Sequence, residues 1–379
     1  MTSRFCKAPF AHLYSHPGGE DRICCAWTTK ETTSDTPEKR WNNNLRKRVR
    51  QQFISGQEPE ECVRCWNQES TNKKSVRMSI NQRLSHIDID YSIDKGNQFN
   101  SPLDIDFRAS NLCNLSCRMC RPDNSSQLDK ELEKNPKLSR WWEPFNQINN
   151  LSDQSIDFMF DNVQGAVSFL GGEPTIMPEV KYALQKLIDQ NKTNITIRTH
   201  TNGTNLNFSK GEFLDLLEKF SDVYLNVSID GTDKTVEYIR HPVKFENLKL
   251  AIEKYNNIFN LGLSYCLQAY NIHNLYKFLE FAKPYKAFIQ KLEKPYMLDY
   301  RVLPIEYRKK HFSKALDFFY RSSLDNDQRK QLEHYYYDSN VNPGIHRVGE
   351  MTKNLDESRN QHIRDYLPEL WEVLEPFYK

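Results

Sequence analysis

The sequence has 379 residues, of which 38% are hydrophobic and 27% charged, and its net charge is +2. This length allows more than one domain, and the charged fraction indicates a well-hydrated surface. The near-neutral charge gives no general attraction to nucleic acid or to an anionic membrane. The sequence shows neither the length of a membrane-spanning segment nor the apolar core of a signal peptide. We therefore expect a cytoplasmic protein without membrane or nucleic-acid partners.

The first hundred residues differ in pattern from the rest. Residues 1–100 are irregular, with cysteines on both sides of a charged stretch, Trp41–Gln57, that predicts a helix ending near Gly56. Residues 72–102 are polar and without periodicity, which predicts a linker or an extended arm. We therefore expect a separate N-terminal module over residues 1–100.

Strand-like runs alternate with amphipathic segments from Leu103 onwards. The predicted strands are Leu103–Arg108, Ala166–Leu170, Asn194–His200, Val223–Ile229, Leu261–Ala269 and Tyr296–Leu303. The predicted helices are at about 124–135, 178–190, 209–220, 244–258 and 273–283. Such alternation predicts parallel strands joined by right-handed crossovers.

The expected fold is therefore α/β. Six strand–helix units are too few for a complete eight-stranded barrel, so we expect a partial (β/α)6 TIM-like barrel over residues 101–305, with a doubly wound sheet as the alternative. Residues 306–379 have helical and aromatic segments and no strand pattern, which predicts a helical C-terminal extension. In either sheet, functional residues gather at the carboxyl ends of the strands.

Cysteine is the most informative residue type. The chain has nine cysteines, an odd number, and eight of them lie in the first third. In a chain without an export signal this argues against a disulfide framework and favours metal ligation. The nine positions are Cys6, Cys24, Cys25, Cys62, Cys65, Cys113, Cys117, Cys120 and Cys266.

Three of these cysteines, Cys113, Cys117 and Cys120, follow the first predicted barrel strand directly. Four cysteines would close a tetrahedral zinc site or a fully ligated cluster, whereas three leave one iron of a four-iron cluster without a protein ligand. Such an iron can bind a substrate or a cofactor. The alternative is a structural zinc site that is completed by a distant fourth ligand.

The Cys-x3-Cys-x2-Cys spacing after the first barrel strand resembles the signature of the radical S-adenosylmethionine (SAM) superfamily. The resemblance implies a catalytic [4Fe-4S] cluster on Cys113, Cys117 and Cys120, whose open iron chelates the amino and carboxylate groups of SAM. One electron from the cluster then releases a 5′-deoxyadenosyl radical. One position departs from the pattern, because the residue before the third cysteine is usually aromatic and here is Met119.

The second predicted strand ends in Phe169-Leu170-Gly171-Gly172-Glu173-Pro174. This segment resembles the superfamily's Gly-Gly-Glu-Pro motif, which implies that Gly171, Gly172, Glu173 and Pro174 hold the methionine amino group of SAM. Glycines let the backbone approach a ligand, and a carboxylate accepts hydrogen bonds from an ammonium. Taken alone, the same residues would be an ordinary turn.

Two further strand ends resemble segments of the superfamily that face the cofactor. Thr201 and Asn202 follow the third predicted strand, and Ser228 and Asp230 end the fourth. The resemblance implies that they face the ribose and the methionine carboxylate. Arg240 is similar to a position often near that carboxylate. Ordinary turn chemistry is the alternative, since Asn-Gly and Asp-Gly are strong turn formers.

The N-terminal cysteines resemble the auxiliary-cluster modules of the same superfamily, called twitch or SPASM domains, here placed before the barrel. The match to phage- and bacterium-encoded twitch-type proteins extends over residues 41–69 and the tail 354–359, and a phage protein would act in the host cytoplasm. The resemblance assigns a second, auxiliary [4Fe-4S] cluster to Cys6, Cys24, Cys62 and Cys65.

Cys24 is preferred to Cys25 as an auxiliary ligand. Gly19 stands before Cys24 as a glycine does before the family's ligand. The two adjacent cysteines point to opposite faces of an extended chain, so Cys25 is expected to be a core thiol or an alternate ligand. A zinc site built from the same four cysteines is the alternative.

These resemblances imply an enzyme that abstracts hydrogen from a substrate. A peptide or protein side chain is the first expectation, and a small sugar or aminoalcohol is the second. A flavodoxin- or ferredoxin-type protein is the expected electron donor. Cys266 is expected to be a small buried hydrophobe rather than a hydrogen-atom donor. The competing class is a non-catalytic zinc- or cluster-stabilised binding module, which leaves the Gly-Gly-Glu-Pro segment without a role.

Overall fold

The computed structural model describes most of the chain. The described residues are 4–17, 22–28, 36–71, 73–91, 100–145, 151–205, 207, 209–321 and 326–379. No helix within these ranges is long and apolar enough to span a membrane. Gly19, on which the choice of Cys24 rested, lies outside the described residues.

Seven strands form one open sheet whose spatial order follows the chain order, β1 to β7. The strands are β1 His12–Tyr14, β2 Asp104–Arg108, β3 Ala166–Leu170, β4 Thr196–Thr201, β5 Asp222–Ser228, β6 Asn260–Leu267 and β7 Lys286–Lys291. The pairs β1–β2, β2–β3, β3–β4 and β6–β7 are parallel. Parallel neighbours in chain order require a crossover between them. The predicted α/β fold with a partial, TIM-like parallel sheet is confirmed.

One of the α-helices precedes β1, and the others lie between consecutive strands or after the last strand. They are α1 Ala8–Ala11, α2 Pro37–Trp41, α3 Asn44–Ile54, α4 Val63–Ser70, α5 Val76–Arg83, α6 Ser126–Lys134, α7 Asp153–Phe160, α8 Pro178–Asp189, α9 Phe213–Leu217, α10 Asp233–Ile239, α11 Phe245–Asn256, α12 Leu275–Phe281, α13 Ile305–Arg321, α14 Asn326–Tyr337, α15 Ile345–Arg359, α16 Ile363–Tyr366 and α17 Pro368–Leu374. The helices after β7 agree with the predicted helical C-terminal region.

Strand β2 shows the two faces of the sheet. Ile105 and Phe107 are fully buried, and Phe107 packs edge-on against Phe160 of α7 with ring centroids 5.1 Å apart. Asp104 and Asp106 alternate with them and therefore point to the other face. The apolar face thus receives a helix, while the opposite face carries charge.

A buried charged pair joins β1 to β2. The ring Nδ1 of His12 lies 2.6 Å from a carboxylate oxygen of Asp104, and both side chains are fully buried. Arg83, at the end of α5, pairs with the same carboxylate. Burial lowers the pKa of His12, but Asp106 and Asp104 outweigh it and raise that pKa above its usual value.

The chain packs as two compact units, each with its own core. Unit 1 comprises residues 1–111, 146–199 and 207–224, and unit 2 comprises residues 112–145, 200–206 and 225–379. In unit 1, Phe10, Val49 and Phe53 belong to a core that the N-terminal helices share. In unit 2, Tyr265 of β6 packs on Phe278 of α12, with ring centroids 4.4 Å apart. The predicted boundaries at residues 100 and 305 stay a prediction.

The predicted strand Tyr296–Leu303 is wrong. The segment forms two short 3-10 turns, Tyr296–Leu298 and Tyr300–Val302. The side chain of Asp299 accepts a hydrogen bond from the backbone N–H of Arg301 at 2.9 Å, which caps the second turn. The last strand is instead β7, and β1 was also not predicted.

Two N-terminal predictions also need correction. The predicted helix Trp41–Gln57 is divided into α2 and α3, because the side chain of Asn43 accepts a hydrogen bond from the Arg46 N–H at 2.8 Å and starts a new helix. The predicted linker over residues 72–102 contains α5, which Ser75 caps in the same way. Residues 92–99 lie outside the described residues.

Candidate functional site

The three cysteines of the loop after β2 are sheltered from solvent. Cys113 and Cys117 are each 7% exposed, and Cys120 is half-buried. Backbone hydrogen bonds fix the loop at both sides of Cys117: the N–H of Ser116 donates to the carbonyl of His241 at 2.9 Å, and the N–H of Arg118 donates to that of Ile239 at 2.8 Å. The loop therefore takes its shape from the segment that ends α10.

The start of α6 fixes the same loop from its other side. The Ser125 hydroxyl accepts a hydrogen bond from the Leu128 N–H and so caps α6, and it donates to the carbonyl of Leu115 at 2.5 Å. The Ser126 hydroxyl lies 3.2 Å from the backbone nitrogen of Cys113. Two consecutive serines thus join the cap of a helix to the cysteine loop.

Two N–H donors face the sulfur atoms. Nδ2 of Asn202 lies 4.0 Å from Sγ of Cys113, and Nη1 of Arg240 lies 3.9 Å from Sγ of Cys117. Such donors favour the deprotonated form of a sulfur ligand. The resemblance to the superfamily placed Asn202 and Arg240 in the candidate site, and both lie close to the cysteine sulfurs.

Burial favours the protonated form of two of the thiols. Burial raises the pKa of Cys117, with Arg240 acting in the opposite direction. Burial also raises the pKa of Cys120, and the nearby sulfurs of Cys117 and Cys113 raise it further. A metal that binds these sulfurs must displace their protons.

An iron–sulfur cluster fits this donor set. Three mutually interacting thiols, two of them buried and one half-buried, lie on one loop, and N–H groups are directed at two of their sulfur atoms. Hydrogen bonds to cluster sulfurs are among the features that tune such clusters. Among the residues that the structure describes, no three His, Cys, Asp or Glu side chains form a preformed group for a single metal ion.

Asp230 and Arg240 form a buried ion pair. Nε of Arg240 lies 2.7 Å from Oδ2 of Asp230, and the Asp230 side chain is fully buried. The other oxygen of Asp230 accepts a hydrogen bond from the backbone N–H of Cys266 at 2.8 Å. Cys266 is half-buried, and burial raises its pKa, as does Asp230. Ser228 is half-buried at the end of β5.

The end of β4 is tied to the cysteine loop. Nδ2 of Asn202 donates to the side chain of Asn114 at 2.8 Å, and Asn114 in turn donates to the Thr204 hydroxyl at 2.8 Å. The Thr201 hydroxyl accepts the N–H of Gly203 at 3.1 Å. Gly203 has a φ of +73°, a conformation that favours glycine.

The Gly-Gly-Glu-Pro segment forms a tight turn in unit 1. Gly171 has a φ of +120°, and a Cβ added there would lie 3.0 Å from the carbonyl oxygen of Ser110. Gly172 is half-buried. The fully buried Glu173 accepts hydrogen bonds from the hydroxyl and N–H of Thr175 at 2.7 and 3.2 Å, and so caps the 3-10 turn that begins at Pro174.

Sequence reasoning missed the contact that joins the cysteine loop to the C-terminal helices. Nη2 of Arg118 lies 2.5 Å from Oδ1 of Asp356 in α15, and both side chains are fully buried. The guanidinium stacks on the ring of Tyr238 at 3.5 Å, and the Tyr238 hydroxyl also donates to Asp356 at 2.8 Å. We call Arg118, Tyr238 and Asp356 the buried clasp. The resemblance of residues 354–359 was its only sequence signal.

The N-terminal cysteines line one small cavity of about 20 Å³ in unit 1. Its sulfur-bearing residues are Cys6, Cys24, Cys62 and Cys65. Burial raises the pKa of Cys6, and the nearby Cys62 and Cys65 raise it further. Cys25 is exposed and does not line the cavity. Four cysteines around one space match the number of ligands that a fully ligated cluster or a zinc ion requires.

The middle of the chain matches a known protein family. Residues 108–282 match the family model described as the Radical SAM superfamily. This part of the chain is therefore similar to the domain of the Radical SAM superfamily, which is a class of enzymes. No curated protein matches the sequence.

Three solved structures of Streptococcus suis SuiB resemble the chain at low identity. SuiB bound to S-adenosylmethionine is 14% identical with a TM-score of 0.37, over 73% of this chain and 60% of that one. SuiB alone is 13% identical with a TM-score of 0.39, over 74% and 60%. SuiB bound to its precursor peptide SuiA is 14% identical with a TM-score of 0.37, over 69% and 58%. The chain thus spans about 60% of these proteins.

Proposed function

We propose that the protein is a radical SAM enzyme whose catalytic cluster is held by Cys113, Cys117 and Cys120. A [4Fe-4S] cluster held there supplies one electron, which cleaves SAM into methionine and a 5′-deoxyadenosyl radical that abstracts hydrogen from the substrate. The observation that carries the proposal is the group of three cysteines, two buried and one half-buried, on one loop of the region that matches the Radical SAM superfamily.

The chain's own residues would act on this cluster through their positions. Asn202 and Arg240 direct N–H groups at the sulfurs of Cys113 and Cys117. Donors of this kind stabilise negative charge on sulfur and so favour a cluster that accepts an electron. The Asp230 carboxylate holds the Arg240 guanidinium in place.

For SAM itself we propose the residues that the sequence motifs indicate. The backbone turn at Gly171 and Gly172 would receive the methionine amino group, together with Glu173 and Pro174. Thr201, Asn202, Ser228, Asp230 and Arg240 would complete the cofactor site. The positive φ of Gly171 supports a backbone shape at this turn that favours a residue without a side chain.

We propose that Cys6, Cys24, Cys62 and Cys65 hold an auxiliary [4Fe-4S] cluster. Their position around one cavity supports this assignment. A cluster with four cysteine ligands has no open iron, so it would act by accepting one electron from a substrate radical. On the resemblance of this module, we propose a peptide or protein side chain as the substrate.

The proposed function is tested by anaerobic reconstitution with iron and sulfide, followed by reduction with dithionite in the presence of SAM. We expect 5′-deoxyadenosine, measured by mass spectrometry, and about eight irons per chain. Cys113→Ala should abolish the product, whereas Cys266→Ala, a matched cysteine on β6, should retain iron. Zinc in place of iron and no 5′-deoxyadenosine from the wild-type protein would contradict the proposal.

A further inference from the structure

A cleft of about 670 Å³ opens beside the cysteine loop in unit 2. Ser116 of the loop, the outer face of α6 and the end of α15 line it. Ser116 precedes Cys117 in the chain, and its N–H is bound to the carbonyl of His241, which also lines the cleft. The cysteine loop therefore contributes Ser116 to the wall of the cleft.

The cleft is basic. Lys130 and Lys134 lie one turn apart on α6 and are exposed, and within the described residues neither side chain has a hydrogen bond or an ion pair. The carboxylate of Glu131 is already engaged by Arg359, at 3.0 and 2.8 Å. Three cations and one carboxylate leave a charge of +2 on the lining.

Arg359 also lines the cleft. Its side chain is only 2% exposed, and its Nη1 has no hydrogen-bond partner among the described residues. Buried polar groups are normally paired. Glu131 therefore satisfies the guanidinium only in part, and its positive charge adds to that of the two lysines on the lining of the cleft.

We propose that this cleft is the docking surface for the enzyme's one-electron donor, an acidic protein of the flavodoxin class. The proposal rests on the proposed function, which requires an electron at Cys113, Cys117 and Cys120. The hydroquinone form of such a donor would give up one electron and become the semiquinone, and a cluster held by these cysteines would accept that electron. Because electron transfer slows steeply with distance, a donor is best placed against the loop that carries the cluster.

Charge complementarity provides the specificity. A basic rim attracts an acidic partner, raises its association rate and makes binding sensitive to salt. The lysines of α6 are suited to this role because their helix is fixed to the cysteine loop by Ser125 and Ser126. A partner bound to the lysines is thereby held at a fixed distance from the thiols.

The test compares the double variant Lys130→Glu, Lys134→Glu with a control, Lys309→Glu, Lys314→Glu, which changes two exposed lysines of α13. Binding of a purified bacterial flavodoxin to the reconstituted protein is measured by calorimetry at low and high salt. We expect the cleft variant to bind at least about tenfold more weakly at low salt and to lose the salt dependence. The control should bind as the wild type does.

A second readout separates docking from chemistry. We expect the ratio of flavodoxin-driven to dithionite-driven 5′-deoxyadenosine formation to fall in the cleft variant and not in the control. Equal binding by both variants would overturn the proposal. So would a wild-type protein that binds inorganic pyrophosphate in the cleft but no flavodoxin. Failure of the proposed function is distinguishable, because it would remove dithionite-driven product from the wild type.

Discussion

Arg118 and Asp356 form a fully buried ion pair, with Nη2 of the arginine 2.5 Å from Oδ1 of the aspartate. Arg118 stands between Cys117 and Met119. The pair therefore ties the backbone of the cysteine loop to α15. Asp356 also accepts hydrogen bonds from the backbone N–H of Ile363 at 2.8 Å and from the hydroxyl of Tyr378 at 3.0 Å. One carboxylate therefore binds several segments of the chain.

Loss of this carboxylate should destabilise the loop. We expect Asp356→Ala to lower the free energy of unfolding by about 3–5 kcal/mol, because Arg118 would keep a buried charge without a partner. Urea unfolding measures this loss, and iron retention after reconstitution should fall with it. The control is Glu357→Ala, which removes an exposed ion pair with Lys137 and should cost less than about 1 kcal/mol. Equal effects of the two variants would contradict the role of the clasp.

The N–H of Asn202 should tune the catalytic cluster. Asn202→Leu removes a donor 4.0 Å from Sγ of Cys113, and fewer hydrogen bonds to sulfur disfavour the reduced, more negative cluster. We expect a more negative midpoint potential in a redox titration followed by electron paramagnetic resonance. Asn257→Leu, at the exposed end of α11, is the control. An unchanged potential in Asn202→Leu would show that this N–H does not act on the cluster.

Of the adjacent cysteines Cys24 and Cys25, only Cys24 should be needed to bind the auxiliary cluster. Cys24 lines the cavity of the N-terminal cysteines and Cys25 is exposed. We therefore expect Cys24→Ala to lose about four irons per chain and Cys25→Ala to keep them. Iron and zinc analysis of both reconstituted variants measures this. Loss of iron in Cys25→Ala alone would reverse the ligand assignment.

Substitution by alanine should destabilise the protein more at Gly171 than at Gly56, which is another glycine with positive φ. Gly171→Ala would place a Cβ 3.0 Å from the carbonyl of Ser110 at a φ of +120°, whereas Gly56→Ala, at +75°, would meet no atom within 4 Å. We expect about 1–3 kcal/mol of destabilisation at Gly171 and less at Gly56. Thermal unfolding of the two variants measures which of them is destabilised more. A larger loss in Gly56→Ala would be inconsistent with the crowding.

Two buried histidines should make unit 2 sensitive to acid. Burial lowers the pKa of His273 to about 4, and the nearby His311 lowers it as well. Burial also lowers the pKa of His311 to about 4. A histidine whose folded pKa is depressed contributes stability above its unfolded pKa of about 6.5 and loses it as the pH falls towards 4.

We therefore expect the free energy of unfolding to fall between pH 6.5 and pH 4, with less of a fall in His273→Gln. The contribution of His273 over this window is at most about 3 kcal/mol. Urea unfolding at several pH values measures it. His346→Gln, an exposed histidine of α15, is the control and should keep the wild-type pH profile.

Much of the sheet could be predicted from the sequence because apolar alternation and turn residues mark most of its strands. Strand β1 could not, since it has only three residues and begins with His12, whose buried partner Asp104 is 92 residues away. Strand β7 could not either, because only one of its residues, Ile289, is fully buried. The wrongly predicted strand Tyr296–Leu303 has the apolar and aromatic composition of a strand. It does not form one, because Asp299 caps a 3-10 turn there.

The candidate site, like the sheet, could be predicted from the sequence only in part. The cysteine spacing and the Gly-Gly-Glu-Pro segment are local patterns, so the sequence indicates them directly. The contact of Asn202 with Cys113 depends on two strand ends that are 89 residues apart. The cleft charge depends on which lysines of α6 remain unpaired after Arg359 has engaged Glu131. Pairings of this kind are decided by packing and have no local sequence signal.

The separation of the clasp residues also bears on how the protein is made. Asp356 follows Arg118 by 238 residues. At a synthesis rate of about 5–20 residues per second, Arg118 is made roughly 10–50 s before its partner. During that interval the clasp cannot form, and the cysteine loop lacks its contact with α15. Insertion of a cluster into the finished loop is therefore expected to follow the synthesis of α15.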